Sequence, residues 1–466
     1  MRGMTPLWTF DELLAATGGT ASGDFFDATG VAFDSREIGN GDLFLALKGA
    51  ETDGHLFVDK AFANGAAGSI VSRPVPHPHI LVGDTMQALE ALGHASRART
   101  KAKIIGVTGS AGKTGTKEAL YAALDRYSRG RAHRSVKSYN NHVGVPLSLA
   151  RMPADCDFGV FEMGMNHAGE MRALSNIVRP DIAIITTIAP AHIEFFEDES
   201  GIADAKAEIF EGMVEGGTAI LPADNVHYPR LRAAAERYTN SILSFGFSPD
   251  ADVRVVDHLV TPNSGTLVTA KICDAMLSFT LSQAGQHWIA NSMAVLAAVF
   301  AAGGDLASAG LALAEMGGLA GRGARHDFAI GGGTSHLIDE SYNANPASMA
   351  ATIGQLGLSG SGRRIAVLGS MKELGDKSDH YHRALAVPLA AAKVDFAILV
   401  GKEMEFLAEE LKAGVEGPAE FAHCATAQEA LALLHNYLCA SDTVLVKGSN
   451  SMGLSTIVSA LTGGNN

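Results

Sequence analysis

The chain has 466 residues, 47% of them apolar, which is enough for about three domains at ~150 residues each. Its 36 Lys and Arg against 50 Asp and Glu leave a net charge of −14. That balance excludes a protein built to hold nucleic acid, which needs a basic surface, but not one that binds a small anion through local donors. No run is long and apolar enough to span a bilayer, and Asp11 and Glu12 interrupt the only stretch where a signal-peptide core could lie, in MRGMTPLWTFDELL. No membrane insertion and a cytoplasmic location are therefore expected. Cys156, Cys273, Cys424 and Cys439 form no CxxC pair and no ligand cluster, as expected of buried thiols in a reducing compartment.

In chain order, three α/β units are predicted. Residues 1–100 carry a short αβ pattern with strands at Leu43–Leu47 and Gly68–Val71, broken by Pro74, Pro76 and Pro78. The basic stretch through Arg97, Arg99, Lys101 and Lys103 marks the first boundary. Residues 101–320 form a P-loop ATPase-like unit, in which Ile104–Thr108, Phe158–Met163, Ile182–Thr187 and Thr218–Leu221 are apolar runs suited to a parallel sheet buried on both faces. The glycine-rich run Gly317–Gly323 marks the second boundary. In residues 321–466, Ile365–Leu368, Phe396–Val400 and Thr443–Val446 alternate with Ala/Leu-rich helices, a Rossmann-like doubly wound pattern.

The most informative stretch is Ile104–Thr114, IIGVTGSAGKT, followed by the helical pattern Lys117–Leu124. A strand, a glycine turn (Gly109, Ser110, Ala111, Gly112), Lys113-Thr114-Gly115 and a helix form a cradle for a nucleoside triphosphate. Backbone N–H groups and the helix N-terminus face the phosphates. Lys113 is expected at the β- and γ-phosphates and the Thr114 hydroxyl on Mg²⁺. Val107 stands where the longer P-loop has its first glycine, so this is the shorter TGSxGKT form. The bound nucleotide is expected to be ATP.

Glu162 closes one apolar run and His192 follows another. Ligands gather outside the carboxyl ends of strands in such sheets, so both are candidates for a divalent ion on ATP, although each alone is also an ordinary structural residue. Lys206 falls in helical register with Ile202, Ile209, Phe210 and Met213. Either its ammonium snorkels to water, or it is a desolvated amine of low pKa, which can take up CO₂ as a carbamate and so become an anionic metal ligand.

TGSAGKT, Asn140-Asn141-His142-Val143-Gly144-Val145-Pro146, Glu162, His192, Lys206-Ala-Glu-Ile-Phe and Gly285-Gln286-His287 together resemble the Mur ligases of peptidoglycan synthesis, along the whole chain. Asp34-Ser35-Arg36, Leu47-Lys48-Gly49, Ser341-Tyr342-Asn343-Ala344-Asn345 and Val446-Lys447-Gly448-Ser449 are similar to the D-alanyl-D-alanine-adding branch. The resemblance implies that the first unit binds a UDP-sugar peptide, the second ATP, and the third D-alanyl-D-alanine. It implies that Lys206 is carbamylated and holds Mg²⁺ with Thr114, Glu162 and His192. By the same resemblance Asn291 lies near the adenine, Glu340 near the ribose, and Arg322 at the γ-phosphate, with Arg325 as the other candidate for that place. Ser35, Arg36, Lys48, Asn140 and Asn141 fall to the UDP substrate, and Asn343, Asn345, Lys447 and Ser449 to the dipeptide. Trp288 and Asn450 depart from the family pattern.

The implied reaction is activation of the carboxylate of UDP-N-acetylmuramoyl-tripeptide by ATP as an acyl phosphate, then attack by the amine of D-alanyl-D-alanine. Lys113, Lys206, His192 and Arg322 are the expected catalytic groups. The rivals are another amino-acid-adding Mur ligase, a folylpolyglutamate synthetase-like ligase and, from another class, a P-loop kinase or GTPase. The chain has no DNPR-type motif and no NKxD-type guanine motif.

Overall fold

The computed structural model describes residues 6–49, 52–260, 265–360 and 362–463, and its strands form three sheets. Residues 1–5, where the reading of the N-terminus began, lie outside the described residues.

The first sheet has five short strands in the order Thr20–Ser22, His79–Leu81, Gly68–Val71, Leu43–Leu45, Val31–Ala32, parallel except for the first. Strands this short cannot close a core alone. Helix Thr85–Arg99, capped at its start by the Asp84 carboxylate, covers them together with helix Gly144–Ala150 from the next unit, whose Leu147 and Ala150 join the same apolar cluster. The Trp8 indole donates to the Ala150 carbonyl at 2.7 Å. The basic stretch read as a boundary is a seam. Arg97 donates to the Val178 and Arg179 carbonyls and pairs with Asp181, while the Arg99 guanidinium lies 3.7 Å from the centre of the Trp8 ring.

The second sheet has nine strands. Lys103–Thr108 lies between Phe158–Glu162 and Ile182–Ile185, all three parallel and almost wholly buried, as their apolar runs require. The chain leaves Lys103–Thr108 towards the Ala132–Arg134 edge and leaves the adjacent Ile182–Ile185 towards Thr218–Pro222, in opposite directions. The gap at the carboxyl end of Lys103–Thr108 is therefore a topological switch point, where such sheets bind ligands. Beyond Thr218–Pro222 and Ser241–Gly246, the strands Val253–Val260, Thr266–Ile272 and Ala275–Leu281 add an antiparallel extension that the sequence reading did not single out. At the other edge, Ala132–Arg134 carries His133, whose Nε2 bonds the Ser148 carbonyl at 2.8 Å.

Burial pushes the His133 imidazole from the usual 6.5 down to about 4, against the opposing pull of that hydrogen bond. In this window the unfolded chain takes up the proton first. The stabilisation is therefore present above about pH 6.5 and lost as pH falls towards 4. The melting temperature is expected to drop through this range, and His133→Gln, which keeps a donor and cannot charge, is expected to flatten part of the drop.

The third sheet runs Ala324–Ile330, Gly333–Glu340, Thr443–Lys447, Arg364–Gly369, Phe396–Val400, Glu420–Cys424. All neighbours are parallel except the hairpin formed by the first two. Parallel register sets Glu340 beside Lys447, and Leu368 on the other side of Lys447. The glycine run before this sheet is tied to it by Gly321 N–H, which donates to Asp339 at 2.6 Å.

Candidate active site

At the end of the central strand the backbone turns through Gly109 at φ +148° and Gly112 at φ +82°, and helix Lys113–Ser128 begins. A Cβ at Gly109 would stand 1.9 Å from the Thr186 hydroxyl, which itself donates to the Ala111 carbonyl at 2.5 Å and holds the loop closed. Glycine is therefore required at Gly109 by both conformation and space. The Lys113 ammonium lies back across this loop and donates to the Gly109 carbonyl at 2.7 Å. Burial holds its pKa below the usual lysine value; Glu162 opposes that shift and Arg322 adds to it. A phosphate would reverse the penalty by supplying the missing anion.

Glu162 is 1% exposed, and its carboxylate accepts from the Thr114 hydroxyl at 2.9 Å and the Asn140 amide at 2.8 Å. Lys117, one helical turn after Lys113, is fully buried. Its ammonium donates to the Ser135 and Lys137 carbonyls, pairs with Glu118 at 2.9 Å and lies 3.9 Å from Glu162. Lys117 thus braces the loop that brings Asn140 to Glu162. Among the described residues no three His, Cys, Asp or Glu groups gather as a closed metal cage. A hydroxyl and a carboxylate 2.9 Å apart, both hard oxygen donors, fit a Mg²⁺ ion held mainly by nucleotide phosphates.

Lys206 lies on helix Glu199–Ala207, which continues as a 3₁₀ turn through Glu208–Gly212. It is 1% exposed, so the snorkelling alternative fails. Its amine has no hydrogen-bond or ion-pair partner among the described residues. Desolvation, with the Lys113 charge added, drives its pKa well below the ordinary range. His192 follows a strand as expected and sits at φ +60°, its Nδ1 against the Glu373 carboxylate of the third unit.

The opposite wall comes from helix Gln286–Ala301 and the third sheet. Asn291 and Trp288 press on the P-loop so closely that a Cβ at Gly112 would meet the Asn291 amide at 2.8 Å, and one at Gly115 the Trp288 ring at 2.6 Å. Arg322 stacks 4.3 Å from the centre of Tyr342, donates to the Ser138 hydroxyl at 3.3 Å and has no carboxylate partner among the described residues. Lys447 is buried, donates to the Asn343 carbonyl at 2.9 Å and meets Glu340 at 3.4 Å. Burial lowers the lysine and raises the carboxyl, and their mutual attraction opposes both shifts.

Two residues expected at the dipeptide are occupied structurally. Asn345 caps helix Pro346–Gly357 and donates to the Ser110 carbonyl of the P-loop at 3.2 Å, docking the third unit on the second. The Ser449 hydroxyl accepts from the Lys372 backbone at 3.1 Å, bracing the loop before Glu373.

In the first unit, Ser35 is buried, Arg36 is exposed and chelates Asp34 in a two-toothed pair, and Lys48 bridges the backbone at Asp53. Glu37, the residue after Arg36, carries the junction. Its carboxylate takes the Lys137 ammonium at 2.5 Å, the Tyr139 hydroxyl at 3.1 Å and the Arg151 guanidinium at 3.5 Å. That contact sets the Ser35-Arg36 loop beside the loop of Asn140 and Asn141.

A cavity of about 780 Å³ opens between the second and third units. Ser110 to Lys113, Gly115, Asn140, Asn141, Glu162, His192, Asn291, Arg322, Glu340, Asn343, Asn345 and Lys447 line it. Gly109, Thr114 and Lys206 lie outside that lining, as do Ser35, Arg36, Lys48 and Ser449.

Residues 27–127, 107–299 and 328–450 match, in turn, the Mur ligase family catalytic domain, the Mur ligase middle domain and the Mur ligase glutamate ligase domain. A UDP-N-acetylmuramoyl-tripeptide--D-alanyl-D-alanine ligase of Bacillus subtilis (strain 168) is 34% identical over 465 residues, covering 97% of this chain and 98% of that one. The chain belongs to the Mur ligase family. The ligase of the same name from Escherichia coli (strain K12) is 33% identical and is covered over 98% of its length. Among solved Mur ligase structures, MurF from Acinetobacter baumannii superposes with a TM-score of 0.84 at 31% identity, over 98% of this chain and 99% of that one. MurF from Thermotoga maritima in complex with ADP superposes with a TM-score of 0.76 at 26% identity, over 93% and 97%. Against this Mur ligase framework, the residues that sequence reasoning missed are Glu37, Lys117, Thr186 and Glu373. Only Lys117 carried a local signal, as a lysine on the buried face of the P-loop helix.

Proposed function

We propose that the chain is an ATP-dependent ligase that joins D-alanyl-D-alanine to UDP-N-acetylmuramoyl-tripeptide, a cytoplasmic step of peptidoglycan synthesis. The observation that carries this reading is convergence. A triphosphate cradle, the Asn140-Asn141 loop, beside which Glu37 ties the first unit to Lys137 and Tyr139, and the strand ends of the third unit come together at one cavity. Among the described residues no helix is long and apolar enough to cross a membrane. Residues 1–100, 101–320 and 321–466 are assigned to the UDP-substrate, ATP and dipeptide respectively.

Lys113 and Arg322 hold the γ-phosphate while the substrate carboxylate attacks phosphorus and ADP departs, leaving an acyl phosphate. The dipeptide amine then adds to the acyl carbon, and the tetrahedral intermediate expels phosphate as the nitrogen gives up one proton. Negative charge gathers in both steps, so fixed cations serve better than a covalent nucleophile. Mg²⁺ would be held by Thr114, Glu162 and His192 and would screen the phosphate charge. Asn291 and Glu340 are assigned to the nucleoside. Ser35, Arg36, Lys48, Asn140 and Asn141 are assigned to the UDP substrate, with Asn140 also fixing Glu162. Asn343 and Lys447 contact the dipeptide, and Asn345 and Ser449 shape its site. We further assign a carbamate to Lys206: its amine is buried and unpaired, and burial depresses its pKa, which favours the neutral form that reacts with CO₂. In that step the amine nitrogen bonds the carbon of CO₂ and one proton is released.

The test is product formation from ATP and UDP-N-acetylmuramoyl-tripeptide with D-alanyl-D-alanine, D-alanine or meso-diaminopimelate. A site built around a peptide bond and a terminal carboxylate leaves its own buried polar groups unpaired when either is missing. D-alanine and meso-diaminopimelate are therefore expected to react orders of magnitude more slowly than the dipeptide. Equal use of a single amino acid overturns the assignment within the family.

A further inference from the structure

We infer that Glu373 is a positioning residue for the metal site: it fixes the His192 ring from the third unit, so that cation binding on the second unit is complete only when the third is docked. This rests on the ligase reading given above. The contact joins residues 181 apart in sequence, the His192 Nδ1 and the Glu373 carboxylate. Both are non-glycine residues in the left-handed region, at φ +60° and +61°. Such backbone is disfavoured and persists where its surroundings hold it, which makes two of them meeting face to face a feature rather than an accident. Around this pair the Glu194 N–H donates to the Glu373 carbonyl at 3.3 Å, and the Lys377 ammonium donates to the Glu197 carbonyl at 3.3 Å.

The chemistry follows from the two ring nitrogens. A carboxylate on Nδ1 fixes the tautomer with its proton there. Nε2, which has no hydrogen-bond partner among the described residues, keeps its lone pair, and His192 lines the cavity. The other end of the same loop is tied to the candidate dipeptide strand, because the Lys372 N–H donates to Ser449, two residues after Lys447. Seating the amine-bearing substrate and orienting the cation ligand therefore use one loop. The benefit is timing. The carboxylate is activated efficiently only when the domain that delivers the amine is in place, so the reactive acyl phosphate is not left to water.

The experiment is Mn²⁺ binding to the full chain with a non-hydrolysable ATP analogue, followed by electron paramagnetic resonance, together with the Mg²⁺ dependence of turnover. Glu373→Ala is expected to weaken Mn²⁺ binding by about 10- to 100-fold, the usual cost of losing a carboxylate behind a histidine ligand. The Mg²⁺ concentration for half-maximal turnover should rise in parallel, and saturating Mg²⁺ should restore much of kcat. Glu373→Gln, whose amide oxygen still accepts from Nδ1–H, should fall between wild type and Glu373→Ala. Lys377→Ala, which removes a neighbouring interdomain bond without touching His192, should bind Mn²⁺ like wild type. Wild-type Mn²⁺ affinity in Glu373→Ala overturns the inference while leaving the ligase reading intact. So does equal weakening in Lys377→Ala, which would make the effect one of docking alone. Failure of the wild-type chain to bind Mn²⁺ with the nucleotide overturns both. Melting curves identify a variant that has lost its fold, and for such a variant Glu373→Gln decides.

Discussion

Lys113→Ala is expected to lower kcat by about 100- to 1000-fold, the scale on which a single donor to developing negative charge is worth about 3–4 kcal/mol. The reason is visible in the resting loop. The Lys113 ammonium is already desolvated against the Gly109 carbonyl, with the Glu162 carboxylate offsetting part of that cost. Its reorganisation on meeting a phosphate is short, and no second lysine takes its place. Lys117 is committed to two backbone carbonyls and Glu118, and Arg322 approaches from the other unit. Binding of UDP-N-acetylmuramoyl-tripeptide, measured by calorimetry without ATP, should change little, because the first-unit residues assigned to it stand apart from the P-loop lysine. Parallel loss of turnover and UDP-substrate affinity would mean that the loop had collapsed. A loss below tenfold would remove Lys113 from the phosphate-binding role.

What the sequence made legible is chemistry written in local spacing. Gly109, Gly112 and Lys113 sit within one turn of chain, so their relative placement is set by covalent geometry and the strand-to-helix crossover. Glu162 was legible because a strand that ends in a carboxylate at a switch point has few other places to put it. The contacts that assemble the site escaped for the opposite reason. Glu37 reaches Lys137 across 100 residues and His192 meets Glu373 across 181, and no periodicity records such pairings. Asn345 shows a further kind of difficulty. Asparagine before proline at a helix start is a common cap, and the capping box is present, yet the same side chain also reaches the P-loop. The antiparallel strands Val253–Val260 and Ala275–Leu281 have long exposed faces and mixed polarity, so they lack the apolar runs that marked the buried parallel strands.

Lys206→Ala is expected to remove most of the activity while leaving the fold intact, a combination that a structural lysine would not give. An amine that is 1% exposed and unpartnered is a cost to the folded state, since burying a charge, or depressing its pKa to avoid one, opposes folding. Truncation removes that cost but opens a cavity where the buried stem stood; the two effects oppose each other, so the protein should still melt cooperatively with a shift of only a few degrees. If the lysine acts as a carbamate, two further results follow. Wild-type protein in ¹³C-labelled bicarbonate should show a carbamate resonance that Lys206→Ala lacks. Short carboxylic acids such as formate or acetate should restore part of the lost turnover in the alanine variant by placing oxygen atoms where the carbamate stood. They should not rescue Lys113→Ala, whose missing group is a cation. Near-normal turnover in Lys206→Ala, or the same ¹³C resonance in wild type and variant, would overturn the carbamate. Loss of activity with neither the resonance nor the rescue would leave Lys206 as a neutral amine, and the anionic ligand role would pass to Glu162 alone.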